Sequence, residues 1–246
     1  MLGILYVMLA LHRCAPKHRS SHMRKNQLVQ LPLSLRHTKR IAVIGSLPGF
    51  VLALSLVIQH YFAKPDLLGF DPNNMARTES GMWKNYYEGK WGQLGWKLFS
   101  GACTEFGFSW WDGLHMSSAA GRSALYFRKD GDDPRCLPLL VDYYQIIKKA
   151  SRVDFDPARA ASLELQWWKQ RRALVAPEEY AKTIANLSSL IYGCPPDDLL
   201  PAARLRAQAM AYRDALRNAP MRQADWDVIT SQLDTAYTQL KKTIAR

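Results

Sequence analysis

No acidic residue stands among the first 63 positions of this chain, and that absence divides the molecule. All 21 acids follow it, while Arg13, Lys17, Arg19, Arg24, Lys25, Arg36, Lys39 and Arg40 precede it. The formal charge of +12 is therefore concentrated in residues 1–40, which leaves 25 basic against 21 acidic residues over 41–246. Such a balance is ordinary for a soluble domain and argues against a nucleic-acid partner.

Histidine is as sparse beyond that point as acid is before it. Only His115 lies after residue 60. A two-histidine zinc site, a pair of Glu-x-x-His di-iron motifs and any histidine triad that omits His115 are excluded on this count. There is also no P-loop, no dinucleotide glycine fingerprint and no Cys-x-x-Cys. No metal and no cofactor is expected. No internal repeat and no sustained period-two alternation occurs, so strands are not expected either.

What the first third does contain is an uncharged run, Ile41 to Gln59, nineteen residues long. At about 1.5 Å per residue it covers roughly 30 Å, the thickness of the hydrocarbon layer, and His60, Tyr61 and Phe62 follow at interfacial depth. With the basic flank before it, the run reads as a signal-anchor with a cytoplasmic N-terminus. A cleaved signal peptide is disfavoured because Ala63, the one small residue near a plausible cut, has bulky Tyr61 at the −3 position. Met23 opens a more typical basic lead into an anchor than Met1 does, and is read as a competing start. Within the run Gly45, Gly49 and Ala53 recur every four residues, a small-residue ridge suited to helix association in the membrane.

The domain organisation expected is a basic cytoplasmic tail over 1–40, a transmembrane anchor over 41–62, a linker over 63–82 carrying Pro65, Gly69 and Pro72, and a helical extracytoplasmic domain over 83–246. The fold class is all-α: a single N-terminal transmembrane helix followed by an antiparallel bundle of five to seven helices. Asp156-Pro157 should cap a helix to about Arg172. Another should run from Pro177 to Gly193, and two more from about Leu200 to Arg217 and Gln223 to Ala245. The last shows Trp226, Ile229, Leu233, Tyr237, Leu240 and Ile244 on one stripe. Arg206, Arg213 and Arg217 read as a solvated stripe. Glu164 reads as the partner of a surface base or of an indole N–H.

Of the three cysteines past the anchor, Cys103 and Cys136 bracket a Gly- and Trp-rich segment and are the first choice for one disulfide in an oxidising compartment; Cys194 is left over. Seven of the eight tryptophans lie between 83 and 168. Trp110, Trp111, Trp167 and Trp168, with Arg122, are the candidate binding residues, because indoles are enriched both at interfaces and on ligand platforms. On one continuous helix Glu105, Asp112 and His115 would converge as a carboxylate–imidazole site for acid–base work. Gly107 and Gly113 weaken that supposition.

The reading these features favour is a non-catalytic single-pass component of a bacterial inner membrane, its domain periplasmic. It would serve an envelope assembly for secretion, transfer or cell-wall work, with the membrane and other envelope proteins as partners. The alternative is a tethered enzyme or binding protein for a glycan or lipid precursor, built on Glu105, Asp112 and His115.

Overall fold

The computed structural model describes residues 57–245 without a break, preceded by Gly49, Val51, Leu54 and Ser55. The tail 1–40, Gly45, Ala53 and most of the apolar run lie outside the described residues. Among the described residues no helix is long and apolar enough to cross a membrane.

A helical stretch ends at Phe62, and eight helices follow, with no strand among the described residues. They are α1 (Pro72–Tyr87), α2 (Trp91–Phe106), α3 (Trp110–Lys129), α4 (Cys136–Ser151), α5 (Pro157–Arg172), α6 (Pro177–Tyr192), α7 (Pro196–Ala215) and α8 (Gln223–Ile244). The bundle is thus larger than the five to seven helices expected. The expected linker is shorter, because Asp71 accepts from the Asn74 amide at 2.8 Å and Pro72 holds the first helical position, so the non-helical stretch is only 63–71. Asp156 and Pro157 start α5 in the same way. Gly107 and Gly193, at φ 69° and 70°, end α2 and α6 in the left-handed conformation that glycine adopts without strain.

Short connections reverse the chain after each helix, and each helix packs on its neighbours in sequence. α8 also packs on α1, so the eight form a closed ring. A ring of this size leaves an interior that only long side chains span. Trp83, Trp167, Trp168, Tyr143, Tyr144 and Phe127 fill it, each no more than 1% exposed. At 150–250 Å² per ring, burial of one indole contributes about 4–6 kcal/mol of transfer free energy before entropy is counted. The tryptophans at 83, 167 and 168 are therefore core, which corrects the choice of Trp167 and Trp168 as binding residues.

Polar side chains cross the same interior. Glu79 on α1, fully buried, accepts from Arg206 of α7 and from the Tyr237 hydroxyl of α8. Arg171 on α5 makes a two-pronged pair with Asp214 at 2.8 and 2.9 Å and donates to the Tyr87 hydroxyl at 3.2 Å. Arg213 lies 3.5 Å from the centre of the Tyr87 ring. Arg206 and Arg213 are thus buried, and only Arg217 of the expected solvated stripe faces water. Glu164 accepts from the Trp168 indole at 2.9 Å and the Tyr144 hydroxyl at 3.0 Å, as an indole-fixing carboxylate should, but inside the ring.

Cys103, Cys136 and Cys194 are free thiols, which corrects the expected bridge. The Cys136 thiol donates to the Ser123 carbonyl at 3.4 Å, whereas Cys103 faces Ser109 and Gly113. Those two points on α3 are ten residues, or about 15 Å, apart, far beyond the roughly 7 Å limit between bridged Cα atoms.

Candidate functional site

The first turn of α3 is held both by its own side chains and by the end of the helical stretch before the bundle. Ser109 caps it, accepting from the Asp112 amide at 3.0 Å, and its hydroxyl donates to Asp112 Oδ2 at 2.6 Å. Asp112 in that turn complements the positive end of the helix. The end of the preceding helical stretch docks on the same turn: the Trp110 amide donates to Gln59 Oε1 at 2.8 Å, and His60 Nδ1 lies 3.1 Å from Ser109 Oγ and 3.4 Å from Asp112 Oδ2. Close approach of α2 behind this turn depends on Gly113, where a Cβ would stand 2.7 Å from Cys103 Sγ.

Serine, histidine and aspartate meet here, yet their arrangement does not match a nucleophile relay. Ser109 is fully buried, its hydroxyl bonds directly to Asp112 Oδ2, and both residues approach the same ring nitrogen, Nδ1, of His60, whereas a relay places serine and carboxylate on opposite ring nitrogens. In a relay the serine donates to the imidazole. Cys103 is no substitute: burial and then the charge of Asp112 push its thiol up to about 11, and the thiol form is a poor nucleophile.

Of the acid–base trio expected, Asp112 and His115 line one cleft together, and Glu105 is elsewhere. Gly107 ends α2 and turns the chain, so Glu105 and Asp112 belong to different helices. Burial raises the Glu105 carboxyl above its ordinary value, and the Asp71 backbone amide bonds to it. Among the described residues no group of three or more His, Cys, Asp or Glu could hold a metal ion.

Two adjoining clefts run between α3 and α4. The lower, about 340 Å³, is bounded by His60, Tyr61, Trp111, Asp112, His115, Ile146, Lys149 and Arg152. The upper, about 430 Å³, continues past His115 to Ser118, Arg122, Asp142 and Gln145. Lys149 and Arg152 stand at the end of α4, which accounts for two lining cations that spacing within α3 could not reveal; His60, 49 residues before Ser109, was equally hidden.

Neighbouring positions of α3 divide its exposed face. Trp111 and His115, one turn apart, meet with ring centres 4.4 Å apart and planes tilted by 53° at the lower cleft. Trp110 and Leu114, one turn apart on the adjacent stripe, are 51% and 53% exposed and line neither cleft. No family model, no curated protein and no solved structure matches this chain.

Proposed function

We propose that this is a single-pass membrane protein, anchored by Ile41–Gln59 with the ring of helices in the periplasm, that docks a partner of an envelope assembly without catalysing a reaction. The observation that carries the reading is the bonding of Gln59 and His60 to the first turn of α3. It brings the start of α3, with the exposed Trp110 and Leu114, beside the point where the apolar run ends, which supports a docking surface close to the proposed anchor. Large apolar groups left in water at one place mark interaction surfaces. The separation of Glu105 from Asp112 and His115 removes the geometry on which the enzymatic alternative rested.

Two experiments test the reading. A phosphatase fused after Arg246 should be active and a fluorescent protein in its place dark; the reverse pattern overturns the topology. In native electrophoresis of solubilised envelopes, Trp110→Ala with Leu114→Ala should release the protein from its assembly, a loss on the order of 2 kcal/mol or more. The same variant should keep its helicity and melting point. A folded His115→Ala protein that assembles but has lost function would replace docking with catalysis.

A further inference from the structure

We propose that the lower cleft binds the phosphate of an anionic phospholipid headgroup, taken from the leaflet through which the apolar run leaves the membrane. This rests on the anchored reading above. His60 and Tyr61, which follow the run directly, are part of the cleft wall, so the cleft opens within about one helical turn of the run's end, where lipid phosphates lie.

Its charges suit that ligand. Lys149 and Arg152 are exposed and make no ion pair among the described residues, although Lys148 beside them pairs with Asp154 at 2.8 Å. Asp112, the acid of the lower cleft, is already held by Ser109 and His60. Two uncommitted cations therefore face a cavity that also receives His115, with the Trp111 ring as an apolar wall. Basic residues in the last turn of a helix commonly offset its negative end. That offset explains Lys149 and Arg152 taken alone, but not the convergence of His60 and His115 from two other elements onto the same space. A volume of about 340 Å³ falls at the small end of the range for small-ligand sites, as a headgroup requires.

The test uses the full chain in phosphatidylcholine nanodiscs with and without phosphatidylglycerol, and native mass spectrometry counts the lipids that stay bound on release. Wild-type protein should retain phosphatidylglycerol and not phosphatidylcholine. Lys149→Gln with Arg152→Gln should cut retention about tenfold or more, given what each basic group contributes near an anionic surface. Arg217→Gln with Lys242→Gln, exposed cations in the turn after α7 and on α8, should leave it unchanged. Equal retention by the cleft variant overturns the site, and so does retention abolished by inorganic phosphate at millimolar concentration, which would make free phosphate the ligand. Carbonate extraction of the native membranes separates the two readings: protein stripped from the membrane overturns the anchor, whereas protein that stays embedded with lipid counts indifferent to the cleft variant overturns the site alone.

Discussion

Two tryptophan doublets, Trp110-Trp111 and Trp167-Trp168, look alike on paper and lie in opposite environments. The first pair is half exposed at the start of α3; the second is fully buried late in α5. Adjacent residues on a helix point about 100° apart, so burying both indoles requires neighbours on two sides and a partner in front. α5 has them: it packs between α4 and α6, and Trp168 meets the Phe127 ring edge-on at 5.3 Å from across the interior. Trp168 also finds Glu164 one turn earlier for its N–H, whereas the residues one turn before Trp110 belong to the preceding helix and turn. A doublet of large rings thus carries no address of its own; the polar group at i−4 and the closure of the surrounding wall supply it.

The contrast breaks most visibly by truncation of a buried ring. Trp168→Ala should lose about 3–5 kcal/mol, read by chemical denaturation, because the cavity cannot collapse within a closed ring. Arg206→Ala should cost a comparable 3–5 kcal/mol or slightly less, since Glu79 is left buried without its counter-charge. Unchanged midpoints in either variant would mean that the interior is looser than the packing indicates.

Glu164 sharpens the comparison through pH. Burial raises its carboxyl from an ordinary 4.5 to about 7, although Trp167, Arg206, Tyr144 and Trp168 all favour the ionised form. The folded state therefore holds the proton more tightly than the unfolded one, so this group's contribution is greatest below about pH 4.5, declines up to about 7 and is flat above. Glu164→Gln should flatten that decline in thermal melts across the window, and a parallel decline in both proteins would contradict the assignment. At the exposed doublet, Trp111→Ala should move stability by no more than about 0.5 kcal/mol. The smallest effect is expected at Cys136, whose thiol, pushed up to about 11 by burial, should resist alkylation in folded protein and give the same peptide map with or without reductant.

Much of the helical framework was legible because its signals are local. Asp156-Pro157, Pro177 and Gly193 act on the next turn of backbone, and α5 and α6 begin and end there. The stripe from Trp226 to Ile244 is buried along its length. The same Asp-Pro signal at Asp71-Pro72 starts α1 inside the segment expected as linker, where Pro65, Gly69 and Pro72 point to a turn rather than a helix. The spacing of Arg206 and Arg213 identifies a face without saying what covers it; α1 and α8 do so here. In the candidate site, the nearness of Asp112 to His115 was readable from one turn of helix, while the arrival of His60, Lys149 and Arg152 depends on contacts between helices.

The seam between α8 and α1 has a consequence for how the domain comes apart. A row of helices touching only their neighbours could fray from either end, as linear repeat arrays do. Here Glu79 bonds to partners 127 and 158 residues away, so the first and last helices are held by the same buried carboxylate. Contacts of such sequence separation form late, after the entropy of closing the long loop has been met. Once they exist neither terminal helix can peel away alone. Slow-exchanging amides in α1 and α8 should therefore share one opening free energy with those of α5, making the seam part of a single cooperative unit and leaving no fraying edge.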